Sequence, residues 1–92
     1  MKELLRVKIT GNEAALVQAA NVNYYNYESL ATILVNTGNL TEELYEKIKN
    51  EYLKFAYEYT ILRDALLDKY AGDLVYNSYE ILYKKEEIVY YE

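Results

Sequence analysis

The strongest constraint in this sequence is a run of apolar side chains between residues 45 and 66, spaced alternately by three and four positions. That spacing places every member on one side of an α-helix, and the chain contains no proline to interrupt it. Glu42 and Glu43 suit the positive end of such a helix, and Gly72 suits its end. The pattern predicts a helix over 42–70, whose apolar side is formed by Tyr45, Ile48, Tyr52, Phe55, Tyr59, Leu62 and Leu66.

A second helix is predicted upstream, over about 13–36. Thr10 and Glu13 have the spacing of a capping box at its start. Asn23 occupies one place in its apolar stripe, which otherwise indicates a buried face. The two helices are expected to pack as an antiparallel hairpin, and the apolar members of the upstream stripe are Leu16, Ala20, Tyr27, Leu30 and Leu34.

The connection between the helices carries clear signals. Gly38 suits a left-handed position after a helix, and Thr41 suits the N-cap of the next. Leu40 and Tyr45 have the spacing of a hydrophobic staple. The connection is therefore predicted to be short.

The stretch NVNYYNYESL, residues 21–30, is a poor helix former within the upstream helix. One interpretation is a break followed by a restart with Asn26 as N-cap, since asparagine favours caps over helix interiors. The other is that packing overrides propensity. Propensity losses of ~0.5 kcal/mol per residue are small beside ~2 kcal/mol for each buried leucine. We therefore expect one helix, continuous or kinked near 21–26.

The two ends of the chain are expected to be extended. Leu5, Val7 and Ile9 would share one face of a short strand, although an extended arm fits equally well. The segment after Gly72 is predicted to be partly extended, with β-pairing to the N-terminal segment as one outcome. KKEE at 84–87 could turn into a final strand, but it lacks the Asn-Gly of a tight hairpin. The fold expected for residues 1–92 is a single, mainly α domain.

Several functions are disfavoured by composition. The chain has no histidine or cysteine, so the commonest general base and the strongest nucleophile are missing. Carboxylate pairs such as Asp64 and Asp68 have the spacing of a solvated helix face. We therefore expect no enzyme, and no catalytic, cofactor-binding or metal-binding residues. A net charge of −5 disfavours direct nucleic-acid binding. No apolar run is long enough for a signal peptide or a membrane span, so a cytoplasmic protein is expected.

Tyrosine is the feature with functional content, because thirteen tyrosines accompany a single phenylalanine. Three tyrosines repeat every seven residues along the downstream helix, namely Tyr45, Tyr52 and Tyr59. They could form a boundary stripe under the upstream helix, or a binding surface, since tyrosine is enriched in protein interfaces. Tyr24, Tyr25 and Tyr27 cannot all share one helical face. The predicted partner-binding residues are Tyr24, Tyr25, Asn26, Tyr27, Tyr45, Tyr52, Tyr59, Tyr90 and Tyr91.

These observations favour a non-catalytic protein–protein interaction module. It could be an adaptor, an accessory subunit or an inhibitor. Small acidic phage proteins that inhibit nucleic-acid-binding enzymes have a similar size and composition, which makes a bacterial or phage anti-defence protein one version of this hypothesis. One alternative is a self-assembling helical bundle, and a homodimer is expected because two amphipathic helices bury little alone. The other alternative is a small enzyme or ligand carrier with a tyrosine-lined pocket.

Overall fold

The computed structural model describes residues 1–38 and 41–92, and within these ranges the predicted helical hairpin is confirmed. Both ends of the chain are strands of one antiparallel sheet, in the order β1-β3-β2. The elements are β1 (Glu3–Lys8), α1 (Gly11–Thr37), α2 (Glu42–Ala71), β2 (Ser78–Leu82) and β3 (Glu87–Tyr91).

Helix α1 runs without interruption through residues 21–30, so the break at Asn26 does not occur. Its start is fixed by the predicted capping box: the Glu13 amide donates to Thr10 Oγ1 over 3.1 Å, and the Thr10 amide donates to Glu13 Oε1 over 2.9 Å. Its end is Gly38, whose φ of 71° is the left-handed conformation that favours glycine. Packing therefore outweighs the low helix propensity of this stretch.

Helix α2 begins where the sequence predicts, since Thr41 Oγ1 accepts from the Leu44 amide over 3.2 Å. It ends at Gly72, whose φ of 58° and ψ of −122° are strained for any residue with a Cβ. Leu40 lies outside the described residues, and so does its predicted staple with Tyr45.

The sheet is built from residues that the sequence predicts only as extended. Glu86 takes the left-handed conformation (φ 55°) in the turn between β2 and β3, and its amide donates to the Tyr83 carbonyl over 3.3 Å. A four-residue turn therefore replaces the absent Asn-Gly. Val75 precedes β2 and is exposed.

The buried core lies at the open end of the hairpin, beneath the sheet. Tyr90 is 0% exposed, and its hydroxyl donates to the Leu67 carbonyl of α2 over 2.6 Å. Burial raises the pKa of Tyr90 to about 12, so this donor keeps its proton. The core consists of Ile9, Ala14, Val17, Leu66, Leu67, Ile88 and Tyr90.

The outer face of the sheet is closed by polar side chains. Val89 in the central strand is fully buried, and its register partners are Arg6 on β1 and Glu80 on β2. Arg6 Nη1 lies 3.4 Å from a Glu87 carboxylate oxygen, and the Tyr91 hydroxyl donates to Glu80 over 3.1 Å. The stems of these long side chains shield the valine while their polar ends stay in water.

A carboxylate joins the two helices at this same end. Glu13 accepts from Lys69 Nζ at 2.6 Å and from the Tyr70 hydroxyl at 2.5 Å, in addition to the Thr10 amide. The Lys69 and Tyr70 hydrogen bonds lower the pKa of Glu13 to about 2, with the Thr10 amide as a further cause. One side chain therefore caps α1 and ties it to the last turn of α2.

Replacing Glu13 by glutamine should reveal this tie through its pH dependence. The pKa of Glu13 is lower in the folded chain than in the unfolded one, so its stabilisation is complete above the unfolded value near 4.5 and is lost as the pH falls towards 2. Urea unfolding of Glu13→Gln should show a loss of about 1 kcal/mol at neutral pH that disappears near pH 2.

Glu3→Gln is the matched control, because Glu3 forms only an exposed ion pair with Arg6 at 2.8 Å. It should change the free energy of unfolding by less than about 0.5 kcal/mol. Equal losses for the two variants, or a Glu13→Gln loss that persists in acid, would contradict the proposed tie.

Candidate protein-interaction site

The sheet covers only part of the hairpin face on which it lies. Near the open end, the Arg63 guanidinium lies 5.9 Å from the centroid of the Tyr79 ring in β2, and the Leu67 carbonyl is bonded to β3. Helical periodicity places Leu53, Lys49 and Tyr45 on this same side of α2, nearer to the closed end. The described residues that line this continuation all belong to α1 and α2.

This uncovered continuation forms a cavity of about 390 Å³ between α1 and α2, which we call the tip groove. Its walls are mainly apolar, as in many ligand and peptide sites. The tip groove is lined by Ala31, Thr32, Val35 and Asn36 of α1 and by Tyr45, Ile48, Lys49, Tyr52 and Leu53 of α2.

Tyrosine rings hold the helices together beside the tip groove. The ring centroid of Tyr24 lies 5.5 Å from that of Tyr52 and 5.9 Å from that of Tyr59. The Tyr24 and Tyr52 hydroxyls are 3.3 Å apart, and this hydrogen bond, together with burial, raises the pKa of Tyr24. The Arg63 guanidinium lies 5.3 Å from the Tyr59 ring centroid, in a cation–π contact. These rings form a wall between the helices.

The predicted partner-binding residues are distributed over four environments. Tyr25, Asn26 and Tyr45 are exposed, with Tyr25 exposed by 57%. Another group is half-buried between the helices, and Tyr27 within it stacks on Phe55 at 4.8 Å. Tyr90 is buried in the core, and Tyr91 lies on the outer sheet face. The half-buried group is Tyr24, Tyr27, Tyr52 and Tyr59.

Three exposed apolar residues on α2 were not among the predicted partner-binding residues. Leu53 is 51% exposed, Tyr57 is 68% exposed and Ile61 is 47% exposed. Their four-residue spacing places them in one row beside the tip groove, because four residues complete slightly more than one helical turn. That spacing is visible in the sequence as a second apolar stripe on α2, and this stripe is the sequence signal that could have identified these residues.

Two acidic side chains lie in depressions that adjoin the tip groove. Glu42 lines an adjoining depression with Val35 and Tyr45. Glu28 lines another with Tyr25 and Thr32, and Thr32 also lines the tip groove itself. The rim therefore carries negative charge, and Lys49 lines the groove as a positive group.

The described residues contain no group of three or more side chains arranged to hold a metal ion. Neither described helix has a stretch apolar enough to cross a membrane. Comparison with protein-family models, curated proteins and solved structures found no match to this chain. Function must therefore be inferred from the chain's own geometry.

Asn21 carries the one buried side-chain oxygen or nitrogen without a hydrogen-bond partner in the described part of the chain, its Oδ1 atom. Replacing Asn21 by alanine removes this unpaired acceptor and also improves helix propensity. The free energy of unfolding should rise by about 1 kcal/mol. Denaturant unfolding of the variant and the parent measures this gain.

Asn26→Ala is the matched control, because Asn26 is an exposed asparagine in the same helix. It should gain only the propensity contribution, about 0.5 kcal/mol. A gain for Asn26→Ala as large as that for Asn21→Ala would show that the unpaired oxygen has no cost.

Proposed function

We propose that this chain is a non-catalytic protein-interaction module that binds an amphipathic helix of another protein in the tip groove. The observation that carries the proposal is the half-covered hairpin face: a sheet packs on one half, and an open apolar groove forms the other. An adaptor, an accessory subunit and an inhibitor, including one of anti-defence type, would all use such a site.

The dimensions of the uncovered face suit a short helix. The core beneath the sheet reaches along α2 to Tyr59, which packs against it together with Tyr83 of the β2–β3 turn. From Tyr59 to Tyr45 the helix rises about 21 Å at 1.5 Å per residue. A partner helix of about fourteen residues would span this length and lie in the furrow between α1 and α2, a common mode of peptide recognition.

The chemistry of the tip groove supports the same occupant. Leu53, Val35 and Ile48 offer aliphatic surface, and Tyr45 adds a large ring with a polar end. Tyrosine contributes much contact area at low entropic cost. Glu28 and Glu42 beside the groove favour a partner whose apolar stripe is flanked by lysine or arginine.

The proposal is tested by photo-crosslinking in the native host. A benzophenone side chain placed at position 53 should yield one adduct of discrete mass, and sequencing of the adduct should identify an amphipathic, basic segment. A synthetic peptide of that segment should then bind the purified chain. Leu53→Glu should weaken its binding by at least about tenfold, because it buries a charge in the apolar site.

Position 75 provides the matched control, because Val75 is the most exposed valine and lies outside the tip groove. A benzophenone there should give no discrete adduct, and Val75→Glu should leave peptide binding unchanged. Equal crosslinking from both positions would overturn the proposal. So would an adduct at position 53 whose only partner is another copy of this chain.

A further inference from the structure

A second apolar surface lies on the side of the hairpin away from the sheet, and we call it the back face. Leu16 of α1 lines a shallow groove there with Leu62 and Ala65 of α2, and the Glu13–Lys69 ion pair lines its polar part. Towards the closed end, the stacked pair Tyr27 and Phe55 continues the same stripe. Leu16 is 56% exposed and Leu30, on the same α1 stripe, is 42% exposed.

Four charged residues border the back face along α2, and their order is self-complementary. Lys47 and Glu58 are equally distant from a midpoint between Tyr52 and Leu53, and Glu51 and Lys54 share that midpoint. If a second α2 runs antiparallel about this point, each lysine faces a glutamate. Antiparallel pairing would therefore bring four opposite-charge pairs together, without a like-charge pair among these residues.

The apolar stripe of α1 is centred at the same height. It runs from Leu16 to Leu34, and its midpoint at residue 25 lies within one helical turn of Tyr27. Tyr27 stacks on Phe55 at 4.8 Å, and Phe55 lies less than one turn from the charge midpoint of α2. A single two-fold axis across the hairpin can therefore pair α1 with α1 and α2 with α2 of a second copy.

We propose that a second copy of this chain docks antiparallel on the back face, forming a four-helix bundle in which α1 faces α1 and α2 faces α2. The contact is isologous, because the same residues occur on both sides. The predicted ion pairs are Lys47 with Glu58 of the other copy and Glu51 with Lys54 of the other copy, each formed twice.

The surface area that two back faces would bury is large enough for a specific dimer. The overlap is limited by the closed end, which lies about ten residues from Tyr27, so the shared length is roughly 30 Å. Two helices side by side present a face roughly 20 Å wide. The two copies together therefore bury about 1,200 Å² in flat projection, which is the lower end of the range for stable interfaces.

The sheet does not obstruct the proposed dimer interface. The charged row lies about 170° around α2 from Leu67 and Arg63, which face the sheet. In the antiparallel dimer, the two sheets lie at opposite ends and point outwards. Both tip grooves also point outwards, so self-association and partner binding use different surfaces of the same hairpin.

A charge-swap series measured by sedimentation equilibrium tests the proposal. The parent chain should shift from 10.9 kDa to twice that mass as its concentration rises. Lys47→Glu and Glu58→Lys should each weaken dimerisation by at least about tenfold, because each creates like-charge pairs across the interface. The double variant restores opposite charges in both pairs, so its dimer should return to within about threefold of the parent.

The rescue separates an intermolecular pair from an effect within one helix. Inside α2, each exchange weakens pairing with a residue four positions away, and the double variant keeps both defects. Circular dichroism identifies any loss of helix. A double variant that dimerises no better than the single ones would overturn the antiparallel register, and a parent chain that stays at 10.9 kDa at every concentration would overturn the dimer.

Two apolar variants separate this interface from the tip groove. Leu30→Asp on the back face should abolish dimerisation, whereas Leu53→Asp in the tip groove should leave it unchanged. The opposite outcome would place the self-association surface in the groove and overturn the proposal. The back face and the tip groove are tested by different residues. A failure of the dimer proposal would therefore not affect the test of partner binding in the tip groove.

Discussion

The structure depends on a geometric limit: two helices side by side can bury only the sides that they turn towards each other. The apolar stripes of α1 and α2 are wider than that contact, so further cover is needed. In the described part of the chain this cover lies at one end, where β1, β2 and β3 form a sheet over Leu67 and Val17. Towards the closed end the same helices keep apolar side chains exposed, among them Leu53 and Tyr57.

This limit makes the two ends of the hairpin different in kind. The sheet end is fixed by a dry core, by the Tyr90 hydroxyl and by the Glu13 tie between the helices. Beyond the sheet, the helices are held together by the ring contacts of Tyr24. A rigid base that carries a partly uncovered pair of helices is well suited to binding other proteins, because the apolar surface is already organised before the partner arrives.

Local signals predicted the helices well because caps and periodicity act over a few residues. Thr10, Thr41, Gly38 and Gly72 all take the roles that their positions indicate. The sheet order could not be derived in the same way, since strand pairing depends on contacts between residues far apart in the chain. In particular, β3 is central because β1 and β2 both pair with it, and the left-handed Glu86 supplies a turn without an Asn-Gly signal.

The tyrosines show why the candidate site was only partly predictable. Tyr90 and Tyr91 are adjacent and chemically identical, yet strand alternation sends Tyr90 into the core and Tyr91 to the outer sheet face. Tyr24 and Tyr25 divide similarly on α1, one between the helices and one in solvent. Composition identified the residue type, but the register and the helix pairing decide which rings a partner could reach.

These contacts anchor the hairpin at its sheet end and leave it less stable towards its closed end. Amide hydrogen exchange of the dilute monomer, resolved along both helices, tests this difference most directly. The slowest exchange is expected at 13–21 and 60–70, and faster exchange through local opening is expected at 28–37 and 43–52. Uniform protection along the full length of both helices would contradict it.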